Sequence, residues 1–101
     1  MDSRQATVNG KDYVWVIVEI RGQAESFLGL DDGHGQTLIP VTAEKDSALM
    51  LLGKLPLAGD GAQRQVEAIH RQRLGAIAAE QGFAVDLVDA QGRVLQRLAP
   101  A

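Results

Sequence analysis

The sequence predicts a single α+β domain over residues 1–101, with a mainly antiparallel sheet of five or six strands and two helices packed on one face. Three observations lead to this fold class. The strand-like segments come in groups, which gives the order ββββααββ and argues against a regular parallel α/β sheet. One segment, residues 13–20, is apolar on both of its faces. The length of 101 residues fits one domain.

Residues 13–20 form the most apolar strand of the predicted sheet. Because side chains alternate between the two faces of a strand, aliphatic residues share one face and a more aromatic set shares the other. The first set is Val14, Val16, Val18 and Ile20, and the second is Tyr13, Trp15, Ile17 and Glu19. We expect the aliphatic set to face both helices, because it lacks polar groups. The opposite face would then meet a partner, a second subunit or a ligand.

The strand at residues 13–20 is preceded by a turn signal. Asn9 and Gly10 are the preferred pair for a type I′ turn, in which both central residues need a positive φ. We therefore expect a hairpin between a short strand at 5–8 and the longer strand that follows Lys11.

Two more strands are predicted before the first helix. Residues 26–30 and 36–39 read as strands, and the Asp- and Gly-rich residues 31–35 read as the turn between them. Pro40 cannot donate a backbone hydrogen bond, so it marks a sheet edge or the exit from the sheet.

The first helix is predicted to begin at Thr42 as its N-cap, with Glu44 in the first turn, although residues 46–47 are an alternative start. Its buried stripe consists of Ala48, Leu49, Leu52 and Leu55. Gly53 and Pro56 end it.

The second helix is predicted over residues 60–81. Asp60 and Gln63 approximate a capping box, and Gly82 is the natural C-terminal stop. The last elements are a strand at 83–88, a turn at 89–92 and a strand at 93–98.

Composition excludes several classes of function. A net charge of −3 offers no basic surface of the kind that nucleic-acid-binding proteins use, so we expect no nucleic-acid partner. The absence of cysteine excludes disulfides, thiolate zinc sites and cysteine nucleophiles. The longest apolar run is far shorter than a membrane span, and the first residues do not resemble a signal peptide. We expect a cytoplasmic bacterial protein without a membrane partner.

No motif in the chain indicates a catalytic or metal site. Asp31, Asp32 and His34 could hold a divalent ion, but they lack the ligand spacing of a calcium loop and fit a plain turn. His34 and His70 lie on different elements, and neither Ser26 nor Ser47 stands in a G-x-S-x-G turn. We therefore expect that the protein is not an enzyme and that it binds no cofactor and no metal. Among the possible functions, a small hydrolase ranks third, after an interaction module and a ligand-binding protein.

Arg73 interrupts the apolar face of the predicted second helix. On a helical wheel, the stripe consists of Val66, Ile69, Ala76 and Ile77, with Arg73 in its middle and His70 at its margin. Three explanations stay open. The aliphatic stem packs while the guanidinium reaches water; the head group pairs with Glu19, Asp86 or Glu80; or Arg73 and His70 bind an anionic ligand, a carboxylate or phosphate. An open cleft around Arg73 would favour ligand binding, and a closed one a structural role.

The second face of the strand at 13–20 carries half of the aromatic residues of the chain. Tyr13 and Trp15 could be ordinary core or could anchor an interface, since these two residue types dominate binding hot spots. We expect a homodimer whose interface contains Tyr13, Trp15 and Ile17, with a twofold axis repeating the same surface on both subunits.

Residues 27–55 have a recognisable order of features: an apolar strand, an Asp-Asp-Gly turn, the segment QTLIPVT, a charged first helical turn and the segment ALMLLGKLP. In this order the chain resembles the module of SseB-like bacterial proteins and similar small bacterial families of unknown function. Val41 stands where those modules usually have Phe. The resemblance implies an interaction or regulatory module, and it assigns no functional residue.

The sequence thus predicts a non-enzymatic interaction or regulatory module that self-associates as a homodimer or binds another protein. The alternative is a small-ligand or anion-binding protein that uses Arg73 and His70.

Overall fold

The computed structural model describes residues 12–56 and 61–100, which form a mixed sheet of seven strands and two helices. The strands are β1 (Tyr13–Arg21), β2 (Ala24–Phe27), β3 (Leu30–Asp31), β4 (Thr37–Thr42), β5 (Ala62–His70), β6 (Ala84–Val88) and β7 (Val94–Ala99). The helices are α1 (Lys45–Lys54) and α2 (Arg71–Gln81). The predicted α+β class is confirmed. The predicted order is wrong, because β5 separates the two helices and the order is ββββαβαββ.

Strand β1 is paired along both of its edges. On one side it pairs with β5 along its whole length, from Tyr13 opposite His70 to Arg21 opposite Ala62. On the other side it pairs first with β4 and then with β2. All three pairings are antiparallel. Strand β4 continues the sheet through a parallel pairing with β6, and β7 follows antiparallel. The sheet is therefore mostly antiparallel, as predicted, with β5 and β7 on its outer sides.

The first half of the predicted second helix is a strand. The sequence of β5, AQRQVEAIH, is rich in residues that favour helices, so its composition alone is misleading. Intrinsic preferences differ by only about 0.7 kcal/mol per ordinary residue. Pairing with all nine residues of the strongly β-forming β1 outweighs them. Helix α2 ends as predicted, since Gly82 adopts the left-handed conformation with φ of 77°.

The two helices cover opposite faces of the sheet, so the prediction that both lie on one face is wrong. Helix α2 packs through Leu74 and Ala78 on the side of β1 that carries its alternate valines. Helix α1 packs through Leu51 against Ile17, on the other side of β1. We call these two sides the α2 face and the α1 face. Each face of β1 is therefore covered from within the chain, although neither helix spans the whole sheet.

The main core lies on the α2 face, between α2 and the centre of the sheet. Its buried members are Val14, Val16, Val18, Ile39, Val41, Leu74, Ala78, Val85 and Ala99. The smaller core on the α1 face consists of Ile17, Leu28, Leu51 and Val88, with Leu52, Leu55 and Val66 packed against it.

Pro40 lies inside β4 and not at its end, contrary to the prediction. It stands opposite Asp86 of β6. On the other side of β4, β3 pairs with Thr37 and Leu38, and β1 pairs only from Val41 onward. Pro40 thus occupies the interval between two neighbouring strands, where its missing N–H leaves no ladder hydrogen bond unmade.

Helix α1 begins later than predicted. Thr42 is the buried last residue of β4, and its hydroxyl donates to the Glu44 carbonyl at 2.7 Å. Glu44 is the N-cap residue, without a side-chain cap. Ala48, Leu52 and Leu55 face the core as predicted, but Leu51 completes the stripe. The predicted fourth member, Leu49, is 45% exposed.

The remaining predictions have mixed outcomes. The predicted strand at 26–30 is divided into β2 and β3 around Gly29, where a Cβ would lie 2.5 Å from Thr37 Cγ2. The strands predicted at 83–88 and 93–98 correspond to β6 and β7. The hairpin predicted at Asn9 and Gly10, with its strand at 5–8, lies outside the described residues.

Candidate functional site

A groove of 610 Å³ lies beside α2, and we call it the α2 groove. Its apolar lining comes from Val16, Val18, Phe27, Ile69, Ile77 and Phe83. Ala68 borders the groove from β5, although its pairing with Trp15 places its side chain on the α1 face. Its polar lining comes from Glu25, Ser26, Glu67, Arg73 and Gln81. Strands β1, β2 and β5 form the floor and one side, and α2 forms the other side. Both phenylalanines of the chain line it.

The groove exists because α2 does not cover the whole α2 face of the sheet. The helix begins directly after β5 and packs through Leu74 and Ala78 on β1, β4, β6 and β7. The part of the face formed by β1, β5 and β2 lies beside the helix. There, Val16 and Val18 are buried residues of the groove floor, opposite Glu67 and Gln65 of β5. An apolar floor next to charged residues is the usual composition of a ligand pocket.

The charged side chains of the groove carry both signs. Arg73 contributes a guanidinium from α2, and Glu25 and Glu67 contribute carboxylates from β2 and β5. Glu67 is half-buried, and one of its carboxylate oxygens accepts a hydrogen bond of 2.5 Å from the Gln65 amide. Gln65 and Glu67 lie on the same face of β5, because they are two residues apart on a strand. The amide therefore orients the carboxylate within the groove.

Arg73 lies in the groove for a different reason from the one that the sequence predicted. Val66 and Ile69 belong to β5, so the apolar stripe that Arg73 was expected to interrupt does not exist. The buried residues of α2 are Leu74 and Ala78, and Arg73 is exposed next to them. The cleft around it is open, which is the outcome that favours ligand binding.

The predicted ion-pair partners of Arg73 are engaged elsewhere or make no pair with it. Glu19 pairs with Arg64 at 3.1 Å, and the buried Asp86 pairs with Arg97 across β6 and β7. Among residues 12–56 and 61–100, Arg73 forms no ion pair. Its five N–H donors are therefore free of a partner within that part of the chain.

His70, the other predicted ligand-binding residue, does not line the α2 groove. Its ring lies edge-on to Tyr13 with 5.2 Å between centroids. Its Nδ1 accepts the backbone N–H of Gln72 at 3.1 Å, so His70 is the N-cap of α2. Since Tyr13 and His70 are opposite each other in the β1–β5 pairing, their side chains share the α1 face. The structure therefore does not bring His70 and Arg73 into one site.

The three residues predicted for a dimer interface differ in their exposure. Ile17 is 1% exposed, in the core under α1. Trp15 is half-buried, with Lys45 Nζ 5.7 Å from its ring centroid, a cation–π distance. Tyr13 is half-buried against His70. Tyr13 and Trp15 keep some accessible surface, whereas Ile17 has almost none.

The loop between β3 and β4 is a turn whose carboxylates are used by its own backbone. Asp32 Oδ1 accepts the N–H groups of His34 and Gln36 at 2.6 and 3.1 Å, and Asp31 Oδ1 accepts that of Gly33 at 3.0 Å. The bond from His34 is the main reason why the pKa of Asp32 lies below its ordinary value. Within the described ranges, no three His, Asp or Glu residues are arranged to hold a metal ion.

The predicted catalytic residues are also dispersed. Ser26 lines the α2 groove, whereas Ser47 is in α1. His34 is in the β3–β4 turn, and His70 begins α2 on the α1 face. No hydrogen bond joins a serine to a histidine in the part of the chain that the structure describes.

Most of the groove was not predicted from the sequence. Phe27, Ile69 and Phe83 come from three separate elements and meet only in the folded sheet. One signal was present in the sequence: the polar residues Gln63, Gln65 and Glu67 alternate with Ala62, Val66 and Ala68, apart from Arg64, which is the period of a strand. Recognising it would have placed Glu67 and Ile69 on one face beside β1.

Neither helix of the described chain has the length and apolar character needed to cross a membrane. Comparisons of the chain with protein-family models, with curated proteins and with solved structures gave no match.

Proposed function

We propose that this chain is a non-enzymatic binding module and that the α2 groove binds a small apolar zwitterion, such as an apolar amino acid or dipeptide. The observation that carries the proposal is the groove itself. It has an apolar floor and charged side chains of both signs, and Arg73 has no ion-pair partner among the described residues. A regulatory role would follow from ligand binding in this groove.

The size and floor of the groove suit a small ligand. A volume of 610 Å³ falls within the range of about 300–1,000 Å³ that is usual for small-molecule sites. Val16 and Val18 close the bottom and are buried, whereas the half-buried Phe27, Ile69, Ile77 and Phe83 offer apolar surface to a ligand. An apolar side chain of a ligand would therefore displace water from an apolar floor, which is favourable in free energy.

The charges favour a zwitterion over a simple anion. Arg73 would bind a carboxylate through two parallel hydrogen bonds. Glu67 and Glu25 would repel a second negative charge but would attract an ammonium group. A ligand with one carboxylate and one ammonium group complements both the positive and the negative side chains of the groove. A phosphate or a nucleotide complements only the positive one.

The alternative of an anion-binding protein that uses Arg73 together with His70 has less support. The His70 ring contacts Tyr13 on the α1 face, and its Nδ1 is occupied by the Gln72 N–H. A hydrolase has less support still, since the serines and histidines of the described chain make no hydrogen bond to each other.

The test is a calorimetric titration with leucyl-leucine and with leucine. We expect saturable binding with a Kd near or below about 1 mM, for which 10 mM ligand stabilises the fold by about 1.4 kcal/mol. N-acetyl-leucine lacks the ammonium group and leucinamide lacks the carboxylate, so both should bind at least about tenfold more weakly.

Matched variants assign the binding to the groove. Arg73→Gln should weaken leucyl-leucine binding about tenfold, since it removes a charge-assisted pair. Arg93→Gln is the control, because Arg93 lies in the β6–β7 turn and does not line the groove. Absence of binding at 10 mM, or equal binding to wild type and Arg73→Gln, would contradict the proposal.

A further inference from the structure

Strand β5 has an outer edge that faces no other strand of residues 12–56 and 61–100. Its inner edge pairs with β1 along nine consecutive residues without a register shift. The backbone N–H and C=O groups that point away from β1 are therefore in a regular row. Such a row is a template for pairing with another strand.

The two outer strands of the sheet differ in how they are protected. Natural edge strands are usually interrupted by bulges, proline or charged residues that prevent pairing. Strand β7 is interrupted by two register irregularities against β6 and is followed by Pro100. Strand β5 has no proline or glycine and no irregularity against β1, and its two charged residues, Arg64 and Glu67, carry opposite signs. Of these two strands, β5 is therefore the one with a regular edge for association.

We propose that two copies of this chain pair through β5, antiparallel and about a twofold axis at Val66, joining their sheets into one. The inference does not depend on the ligand of the α2 groove. The occupant of the edge is a second copy because β5 is complementary to itself in this register.

The register follows from symmetry. A twofold axis perpendicular to the sheet keeps the α1 faces of both copies on one side, so residues opposite each other must have the same parity. When Val66 is opposite its own copy, all nine residues of β5 are paired. Gln65 is then opposite Glu67 of the second copy, and Arg64 is opposite Ala68 of the second copy.

In this register, no two like charges lie directly opposite each other across the two β5 strands. Within one copy the Gln65 amide already donates to one oxygen of Glu67. Across the axis, each amide would lie beside the carboxylate of the other copy, so two donors and two acceptors would be interleaved on the α2 face. On the α1 face, Arg64 would lie beside the small Ala68, and Val66 beside Val66 of the second copy. Cross-strand pairs of these kinds stabilise sheets.

The pairing also has a consequence for the α2 groove. Because Glu67 and Ile69 of β5 line it, the grooves of the two copies would lie on the same face, one on each side of the axis. The expected homodimer would therefore form through β5, and Tyr13, Trp15 and Ile17 would not be its interface.

The test is sedimentation equilibrium of the full chain from about 5 to 500 μM, with two variants of the exposed Ala68. Ala68→Lys places a cation opposite Arg64 of the second copy at two symmetric positions, so we expect dissociation to be favoured by about tenfold or more. Ala68→Glu is the matched control, because it places a carboxylate opposite the same arginine. We expect it to dimerise within about threefold of wild type.

A wild-type chain that is monomeric at 500 μM would overturn the proposal, and so would Lys and Glu variants that dimerise equally. A dimer that is lost in Trp15→Glu but kept in Ala68→Lys would assign the interface to the α1 face instead. If Ala68→Lys does not fold, hydrogen exchange of the wild type decides. Protection of the outward β5 amides that rises with protein concentration would support pairing, and protection independent of concentration would contradict it.

Discussion

Two glycines show how single residues of α2 are constrained. Gly82 ends the helix with a φ of 77°, a backbone conformation that a β-branched residue adopts only with strain. Gly75 lies within the same helix, where no positive φ is required. A Cβ at either position would meet no atom within 4 Å. The two positions therefore separate backbone strain from steric contact.

We expect Gly82→Val to lower the free energy of unfolding by about 1–3 kcal/mol, since valine would be held at positive φ. The control Gly75→Ala should raise it by about 0.4–1 kcal/mol, because alanine has less freedom to lose on folding. Urea denaturation measures both. Equal and small effects would show that α2 does not end at a left-handed Gly82.

Asp89 holds the turn between β6 and β7. Its Oδ1 accepts the N–H groups of Gln91 and Arg93, both at 2.9 Å. The bond from Arg93 is the main cause that lowers the pKa of Asp89 below its ordinary value. A carboxyl with a lowered pKa in the folded state stabilises that state at pH values above the unfolded pKa, and this stabilisation is lost as the pH falls through the folded pKa.

We expect Asp89→Asn to lower the melting temperature at pH 7, because the amide oxygen still accepts both bonds but carries no charge. The difference from wild type should shrink as the pH falls through the lowered pKa of Asp89, because the wild-type carboxyl then becomes neutral. Asp89→Ala removes the two hydrogen bonds themselves, so the melting temperature of this variant should stay below that of wild type at neutral and at low pH. A wild-type–Asn difference that does not shrink as the pH falls would contradict the assignment of the lowered pKa.

At the scale of elements, the sequence was informative where one strand or turn determines its own structure. The alternation in β1, the glycine stop at Gly82 and the Asp- and Gly-rich turn could each be recognised from a few neighbouring residues. Strand β5 could not, since Ala, Gln, Arg and Glu favour a helix and only its pairing with β1, more than forty residues earlier, makes it a strand. That single error placed both helices next to each other in the chain and on the same face.

The same error affected the candidate site. Arg73 stands out in the sequence because it would interrupt an apolar stripe with Val66 and Ile69 if residues 60–81 were one helix, yet Val66 and Ile69 are in β5. Arg73 nevertheless lines the α2 groove. The partners that give the groove its character, Phe27 and Phe83, come from β2 and from the residue before β6. These two residues come together only in the folded sheet, and no local sequence pattern indicates that they do.

At the scale of the whole molecule, the described residues form a sheet with a helix on each face, and the α2 groove and the outer edge of β5 stay open. The placement of α2 accounts for the groove. The helix packs on β1, β4, β6 and β7 and leaves the region of β1, β2 and β5 beside it uncovered. Ligand binding and self-association would thus use adjacent parts of β5.

The most direct test of the binding proposal is a map of backbone amide chemical shifts during titration of the isotope-labelled chain with leucyl-leucine. We predict saturable shifts centred on Val16, Val18, Ile69 and Ile77, with the α1 residues Ala48 and Leu51 unchanged as internal controls. Arg73→Gln should require about tenfold more ligand for the same shifts. No saturable shift at 10 mM, or shifts centred on the α1 face, would contradict the assignment of the α2 groove as the functional site.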